Sequence, residues 1–280
     1  MLKTAAILLF AASAFALEWR TEGGQTVLYE GARPLLAYNQ AQQLAPGAPE
    51  DRRRCCYVHP VRTLAGVVVT DDFPKDHYHH RGLFWAWPIV QFDGRTYDLW
   101  LVKDIRQVSV SVKTAGARLE AVNEWRTADK ALVREHVVLT ARPPKGKAYD
   151  FDVELRLEAL GAPVLLAGAP DAGKSYGGAL NVRFAPRTET VIRTESGVLP
   201  KDDDLHPHDW TEFEAVYQGK RAALRIAPDS KNPGFPHQWC LRQYGFVGAS
   251  FPGKTAIAKD YTLRPGQPLA LRYRVTVTDR

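Results

Sequence analysis

Phe151, Val153, Leu155, Leu157 and Ala159 alternate with Asp152, Glu154, Arg156 and Glu158, and the same period of two returns at Leu269, Leu271, Tyr273, Val275 and Val277 against Arg272, Arg274, Thr276 and Thr278. Successive side chains of a strand point to opposite faces, so each segment must be a strand with one face in a core and the other in water. No amphipathic helical pattern of similar length competes. Weaker strand-like runs lie at Thr26 to Tyr29, Val108 to Val112, Arg118 to Trp125, Val133 to Thr140, Ala179 to Phe184, Phe213 to Tyr217 and Ala222 to Ile226. Turn residues punctuate them: Gly31, Gly94, Gly116, Pro143-Pro144, Gly161, Gly219 and Pro265-Gly266. The expectation is an all-β chain, a single large antiparallel β-sandwich over residues 17–280. Gln40 to Arg54 reads as the longest loop, with room for one short helix.

The residues before this domain read differently. Lys3, the apolar run Ala5 to Ala12 and the small-x-small site Ala14-Phe15-Ala16 describe a secretory signal peptide over residues 1–16, cut before Leu17, and hence a periplasmic or secreted protein. Its removal takes Lys3 and no acid, so Lys+Arg falls from 37 to 36 against 31 Asp+Glu and the net charge from +6 to +5. These cations are scattered among acids along the whole chain, which argues against a nucleic-acid partner. The best later apolar run, Pro163 to Ala169, is far short of the roughly 18 residues a membrane span needs, so no membrane partner is expected after cleavage. Of the three cysteines, Cys55 and Cys56 are adjacent and Cys240 is distant. A vicinal bridge, a link to Cys240 and buried free thiols all stay open, while the lack of CxxC spacing disfavours a metal-thiolate site.

Gly168 to Ser175 satisfies the phosphate-loop pattern GxxxxGK[ST]. That loop works only where a helix starts at the Lys, so that backbone N–H groups meet the phosphates. Here Tyr176-Gly177-Gly178 and a strand-like run follow, and the segment is expected to be a hairpin loop.

The segment Tyr57 to Trp87 concentrates the chemistry. It holds His59, Asp71, Asp72, Asp76, His77, His79, His80 and Arg81 beside Phe84, Trp85 and Trp87, including four of the eight histidines. Three readings compete. On a strand, His77 and His79 would share a face, and with His59 or His237 they could form a three-histidine metal site with an open position. Alternatively Asp72, Asp76 and a histidine serve as acid and base on a sugar, with Trp85 or Trp87 stacked on it. In the third, these groups tie down a long loop by hydrogen bonds and the tryptophans are core.

A second cluster, Asn232 to Trp239 followed by Arg242 and Tyr244-Gly245, uses prolines and a glycine to fix a loop presenting His237, Trp239 and Arg242. Arg183, on a strand, needs an anionic partner if its face is buried. The acidic run Asp202-Asp203-Asp204 with His206, His208 and Asp209 fits no EF-hand and reads as a solvated loop.

His59-Pro60, the TDDFP.DH.HHRG.FWAW block from Thr70 to Trp87, YGG…RF from Tyr176 to Phe184, and NP.FP..W..R.YG from Asn232 to Gly245 together resemble a bacterial family of unknown function labelled "PmoA family" or "methane oxygenase PmoA". The resemblance implies an exported bacterial protein in sugar-catabolic settings. It does not imply methane oxidation, because that enzyme's subunit is a bundle of membrane-spanning helices and this chain has no such run. The strand pattern also looks like the β-supersandwich of galactose mutarotases and sugar lyases, which implies a concave sheet presenting His, Arg, acidic and Trp side chains to a carbohydrate.

The resulting expectation is a carbohydrate-active enzyme of lyase, epimerase or hydrolase type, acting on a carbohydrate or a carbohydrate-derived small molecule without a cofactor. His59, Asp72, His77, His79 and His80 are its acid/base candidates. Arg81, Trp85, Arg183, His237, Trp239 and Arg242 are its substrate-binding candidates. The alternatives are a metal-dependent hydrolase or oxygenase using a divalent metal on His77, His79 and His237, and a non-catalytic carbohydrate-binding protein. Oligomeric state is left open.

Overall fold

The computed structural model of the chain describes residues 16–169, 177–253 and 260–280. Most of residues 1–16, where a signal peptide is expected, and most of Gly168–Ser175, with Tyr176, fall outside the described residues. The first of two nine-stranded sheets runs, in spatial order, β1 (Leu17–Glu22), β2 (Gln25–Glu30), β3 (Arg33–Asn39), β4 (Tyr57–Val61), β5 (Leu83–Trp85), β13 (Leu180–Arg183), β20 (Phe246–Ser250), β19 (Gln238–Arg242) and β16 (Asp203–Pro207). The second runs β15 (Gly197–Val198), β14 (Thr188–Thr194), β17 (Thr211–Tyr217), β18 (Lys220–Pro228), β22 (Leu269–Asp279), β11 (Ala148–Ala159), β10 (Ala131–Ala141), β9 (Arg118–Arg126) and β8 (Arg106–Ala115). A four-stranded sheet follows the order β21 (Asp260–Leu263), β12 (Val164–Ala167), β6 (Ile89–Phe92) and β7 (Arg95–Tyr97). The strands are antiparallel and the two large sheets face each other as a sandwich.

The two segments of strictest alternation become neighbours in the second sheet. On β11 and β22 the apolar set faces inward and pairs across the strands, Phe151 with Val275, Val153 with Tyr273 and Leu155 with Leu271, while Arg272 and Arg274 face water. Aromatic and amide contacts join this sheet to the first: the Phe184 and Phe213 rings stack at 3.9 Å, and Tyr38 Oη is 2.8 Å from Asn123 Nδ2. The Glu135 carboxylate, fully buried on β10, accepts from Trp125 Nε1 at 2.7 Å, Asn123 Nδ2 at 2.8 Å and Gln107 Nε2 at 3.0 Å. Burial raises its pKa and these donors oppose the rise. Gln107 Oε1 in turn accepts from the buried Arg54 at 3.0 Å, so this polar chain joins the Gln40–Arg54 connection to the second sheet. That connection is mostly irregular and holds one 3-10 turn, Glu50–Arg52.

Two expectations need correction. The described strands on either side of Gly168–Ser175, β12 in the small sheet and β13 in the first, do not pair with each other as a hairpin would require. Cys240 on β19 is four strands away from β4, which at about 4.8 Å per strand is roughly 19 Å and far beyond the reach of a disulfide to Cys55 or Cys56.

Candidate functional site

Pairing register decides which side chains of the first sheet meet one another. Tyr38 points inward to Asn123 and pairs with Val58, which pairs with Leu83; the ladder continues through Val182, Val247 and Leu241. Directly opposed residues share a face. Leu83, Trp85, Leu180, Val182, Val247, Ala249, Trp239 and Leu241 therefore line the inner face. Phe84, Asn181, Arg183, Phe246, Gly248 and Arg242 line the outer one.

Over this outer face lies the Thr70–Gly82 segment. It is not a strand, as the shared-face reading of His77 and His79 supposed, but a succession of turns, with His77 N–H donating to Pro74 O at 2.9 Å and His80 N–H to His77 O at 2.8 Å. The turns stack His77 on His80 at 4.7 Å between centroids, with 2° between planes, and set His79 edge-on to both, at 5.5 Å from His77 and 4.5 Å from His80. His80 is buried against Phe246 at 4.7 Å and Trp100 at 6.0 Å. The second motif cluster contributes Tyr244, 43% exposed, whose ring stacks on His77 at 5.6 Å.

Arg183 organises the patch. Its Nη2 donates to both Asp76 carboxylate oxygens, at 2.9 and 2.7 Å, and its guanidinium lies 5.0 Å from the centre of the Tyr244 ring. Asp76 Oδ2 is also 3.0 Å from His77 Nδ1. Buried Arg183 thus has the anionic partner its position demands, yet its Nε and Nη1 find none. Three remote stretches of sequence meet here: Asp76 to His80, Arg183, and Tyr244 to Phe246.

The electrostatics divide the ionisable groups. Burial, against its contacts with Arg81 and Tyr57, raises Asp72 to about 6. Its Oδ2 accepts from Tyr57 Oη at 2.8 Å and its Oδ1 is 3.6 Å from Arg81 Nε. His79 is held at about 3, first by burial and then by His77 and neighbouring arginines. His80 is pushed well below the usual range for the same leading reason. His59, beside Thr70 Oγ1 at 3.0 Å, is lowered to about 4 by burial, with Arg62 and Arg81 adding to the effect. Burial raises the Tyr244 hydroxyl to about 12. For Asp76 burial works upward, but His77 and Arg183 outweigh it and hold the carboxyl below its ordinary value.

Several expected residues lie elsewhere. Trp85 and Trp239 are on the inner face and wholly buried, so neither ring offers a surface to a sugar. His237 is likewise fully buried, near Phe251 and Tyr273, each 5.9 Å away between ring centroids. It cannot join His77 and His79 around one ion, since the sheet lies between them. Among the described residues no group of three His, Cys, Asp or Glu side chains forms a metal set. Arg81 is fully buried, and its guanidinium donates to the carbonyls of Tyr78, His80 and Arg52 and lies 3.4 Å over the Phe73 ring. It staples the covering segment in place rather than contacting a substrate. Arg242 is paired with Asp204 at 2.6 Å. The acidic run is not merely solvated: Asp203 bonds both His206 and His208, the latter at 2.7 Å. Asp76, read from sequence as an acid/base candidate, instead pairs with Arg183, and Tyr244, present in the second motif block without an assigned role, supplies the exposed ring. The Tyr-Gly end of the second motif block was the available signal for Tyr244.

A cavity of about 800 Å³ lies between the Glu50–Arg52 turn and the start of β8. Arg52, Leu101, Lys103, Asp104, Arg106 and Arg126 line it, and none of the expected site residues does.

A family model described as a family of unknown function, DUF6807, matches residues 18–280. The chain belongs to the DUF6807 family. No curated protein matches it. Among solved structures, this DUF6807 chain is similar to heparinase III, the BT4657 gene product, with a TM-score of 0.37 and 9% identity over 96% of this chain and 35% of that one. The same protein with methylated lysines gives a TM-score of 0.37 and 8% identity over the same shares. The chain therefore spans about a third of the length of these structures. The DUF6807 description names no activity.

Proposed function

We propose that this DUF6807 protein is an exported carbohydrate-active enzyme of lyase, epimerase or hydrolase type, working by acid/base chemistry on the outer face of the first sheet. The observation that carries this reading is the convergence of Asp76, His77, His79, Arg183 and Tyr244 from three separate motif blocks. In this reading the unpartnered Nε and Nη1 of Arg183 receive an oxygen of the sugar once a local shift opens them, and the exposed Tyr244 ring packs against an apolar sugar face. His79, uncharged at neutral pH, accepts a hydrogen bond from a hydroxyl. Asp72, raised to about 6, has the pKa a proton-transfer group needs near neutrality.

The test is a screen of the mature protein against oligosaccharides and their oxidised derivatives, with products read by mass spectrometry. Turnover of at least one class is expected, lost in Asp72→Asn and weakened through KM in Arg183→Ala. Ligand-dependent thermal stabilisation without product from the wild type would instead identify a carbohydrate-binding protein and overturn the catalytic reading.

A further inference from the structure

Adjacent side chains on an extended chain point to opposite faces, so two consecutive cysteines entering a strand should hold their sulfurs apart. Here they do not. Cys56 takes a left-handed backbone conformation, φ 65°, which residues other than glycine seldom adopt. The turn brings Cys55 Sγ and Cys56 Sγ to 3.0 Å, both thiols free and both buried. Such a conformation persists only where its surroundings fix it. The surroundings here are specific: Cys56 N–H donates to Asn39 O at 2.7 Å, and Gln42 Nε2 donates to Cys55 Sγ at 3.1 Å.

We propose that Cys55 and Cys56 are a redox-active pair which hydrogen peroxide closes into a reversible vicinal disulfide. The two thiols are not equivalent. The hydrogen bond from Cys56 favours the Cys55 thiolate against burial, whereas burial and the Cys55 sulfur push Cys56 well up, outweighing the Tyr38 hydroxyl, and it stays protonated. Cys55 is therefore the sulfur that attacks. Its thiolate displaces hydroxide from peroxide, forming an S–O bond as the O–O bond breaks and becoming a sulfenic acid. The Cys56 sulfur then attacks that sulfenic sulfur. The S–S bond forms, the S–O bond breaks, and the departing hydroxyl leaves with the Cys56 proton as water. In total two thiols and one peroxide give one disulfide and two waters. Both sulfurs are buried, so the oxidant must be small, and peroxide is close to water in size. Adjacent Cα atoms, about 3.8 Å apart, are closer than in ordinary disulfides, so the bridge is strained and readily reduced again.

Cleavage at Arg54 and Arg62 isolates both sulfurs in one tryptic peptide, Cys55 to Arg62. The folded, reduced full chain is treated with hydrogen peroxide, denatured, alkylated, digested and weighed. The expected peptide is two hydrogens lighter than the dithiol, refuses alkylation, and takes two alkyl groups after dithiothreitol. A peptide that stays doubly alkylated, or that gains oxygen atoms irreversibly, overturns the proposal. In Cys56→Ser the reaction stops at a sulfenic acid on Cys55 that dimedone traps, whereas Cys55→Ser gives at least several-fold less adduct. Equal trapping in the two variants refutes the assigned order of attack. Should either variant fail to fold, the wild-type peptide still decides whether the disulfide forms.

Discussion

Replacing His237 with Phe isolates the cost of a buried imidazole. The ring is wholly buried, neither nitrogen makes a hydrogen bond of good geometry, and burial lowers its pKa to about 4 against the opposing pull of the Pro233 carbonyl. In the unfolded chain the same group titrates near 6.5. The folded state therefore binds fewer protons between these values, so His237 contributes stability that is present above pH 6.5 and lost as pH falls toward 4. At pH 5.5 the unfolded imidazole is about ten-elevenths protonated and the folded one hardly at all, which makes the loss about 1.4 kcal/mol relative to pH 7.5. Urea unfolding of wild type and His237→Phe at both pH values measures it. The phenyl ring fills similar space, so at pH 7.5 the two proteins should differ by less than about 1.5 kcal/mol. Between pH 7.5 and 5.5 the wild type should then lose about 1.4 kcal/mol more than the variant. His59, His79 and His80 carry the same sign of pH dependence but are present in both proteins, and their share cancels for independent sites. Identical pH slopes would refute the reasoning, as would a severe loss at pH 7.5, which would mean that the imidazole's contact with the Pro233 carbonyl is a full hydrogen bond.

Other perturbations test other layers. Tyr57→Phe removes the hydroxyl that favours the Asp72 carboxylate, so the Asp72 pKa rises above about 6 and the limb of the pH–rate profile that it sets moves to higher pH. Glu135→Ala leaves the Trp125, Asn123 and Gln107 donors unpaired in the core, a destabilisation on the order of 3 kcal/mol or more in urea unfolding. Gly245→Ala should fold poorly: its φ is 104°, and an added methyl would sit within 2.2 Å of three Arg187 guanidinium atoms. Those atoms are held by the carbonyls of Phe184 and Ala185, and a drop of several degrees in Tm by calorimetry is expected.

The apolar periodicity of β11 and β22 is a local property and survives unchanged into the sandwich. The demand that Arg183 find an anion is equally local, because it follows from a charge on a buried strand, and Asp76 meets it. The direction in which Trp85, Trp239 and His237 point is not local. It depends on pairing register, which distant strands set, and a shift of one residue would have sent all three to the outer face. The same limit applies to His77 and His79: spacing by two brings rings together on a strand, but Pro74 and the following turns impose spacing by three, so His80 stacks on His77 instead. The histidines from His77 to His80, which composition singles out, gather on one patch.

The patch rests on β5, β13 and β20, in the interior of a nine-stranded sheet, while most of its ionisable side chains arrive on the turns of Thr70–Gly82. Central strands open last, and connecting segments vary more than the strands that they join. Under the proposed function, framework and specificity are carried by different stretches of chain. A graft of the Thr70–Gly82 turns between two members of the family, with Arg81 retained as the anchor to the Arg52 carbonyl, should transfer ligand preference while leaving amide exchange in β13 and β20 as slow as before.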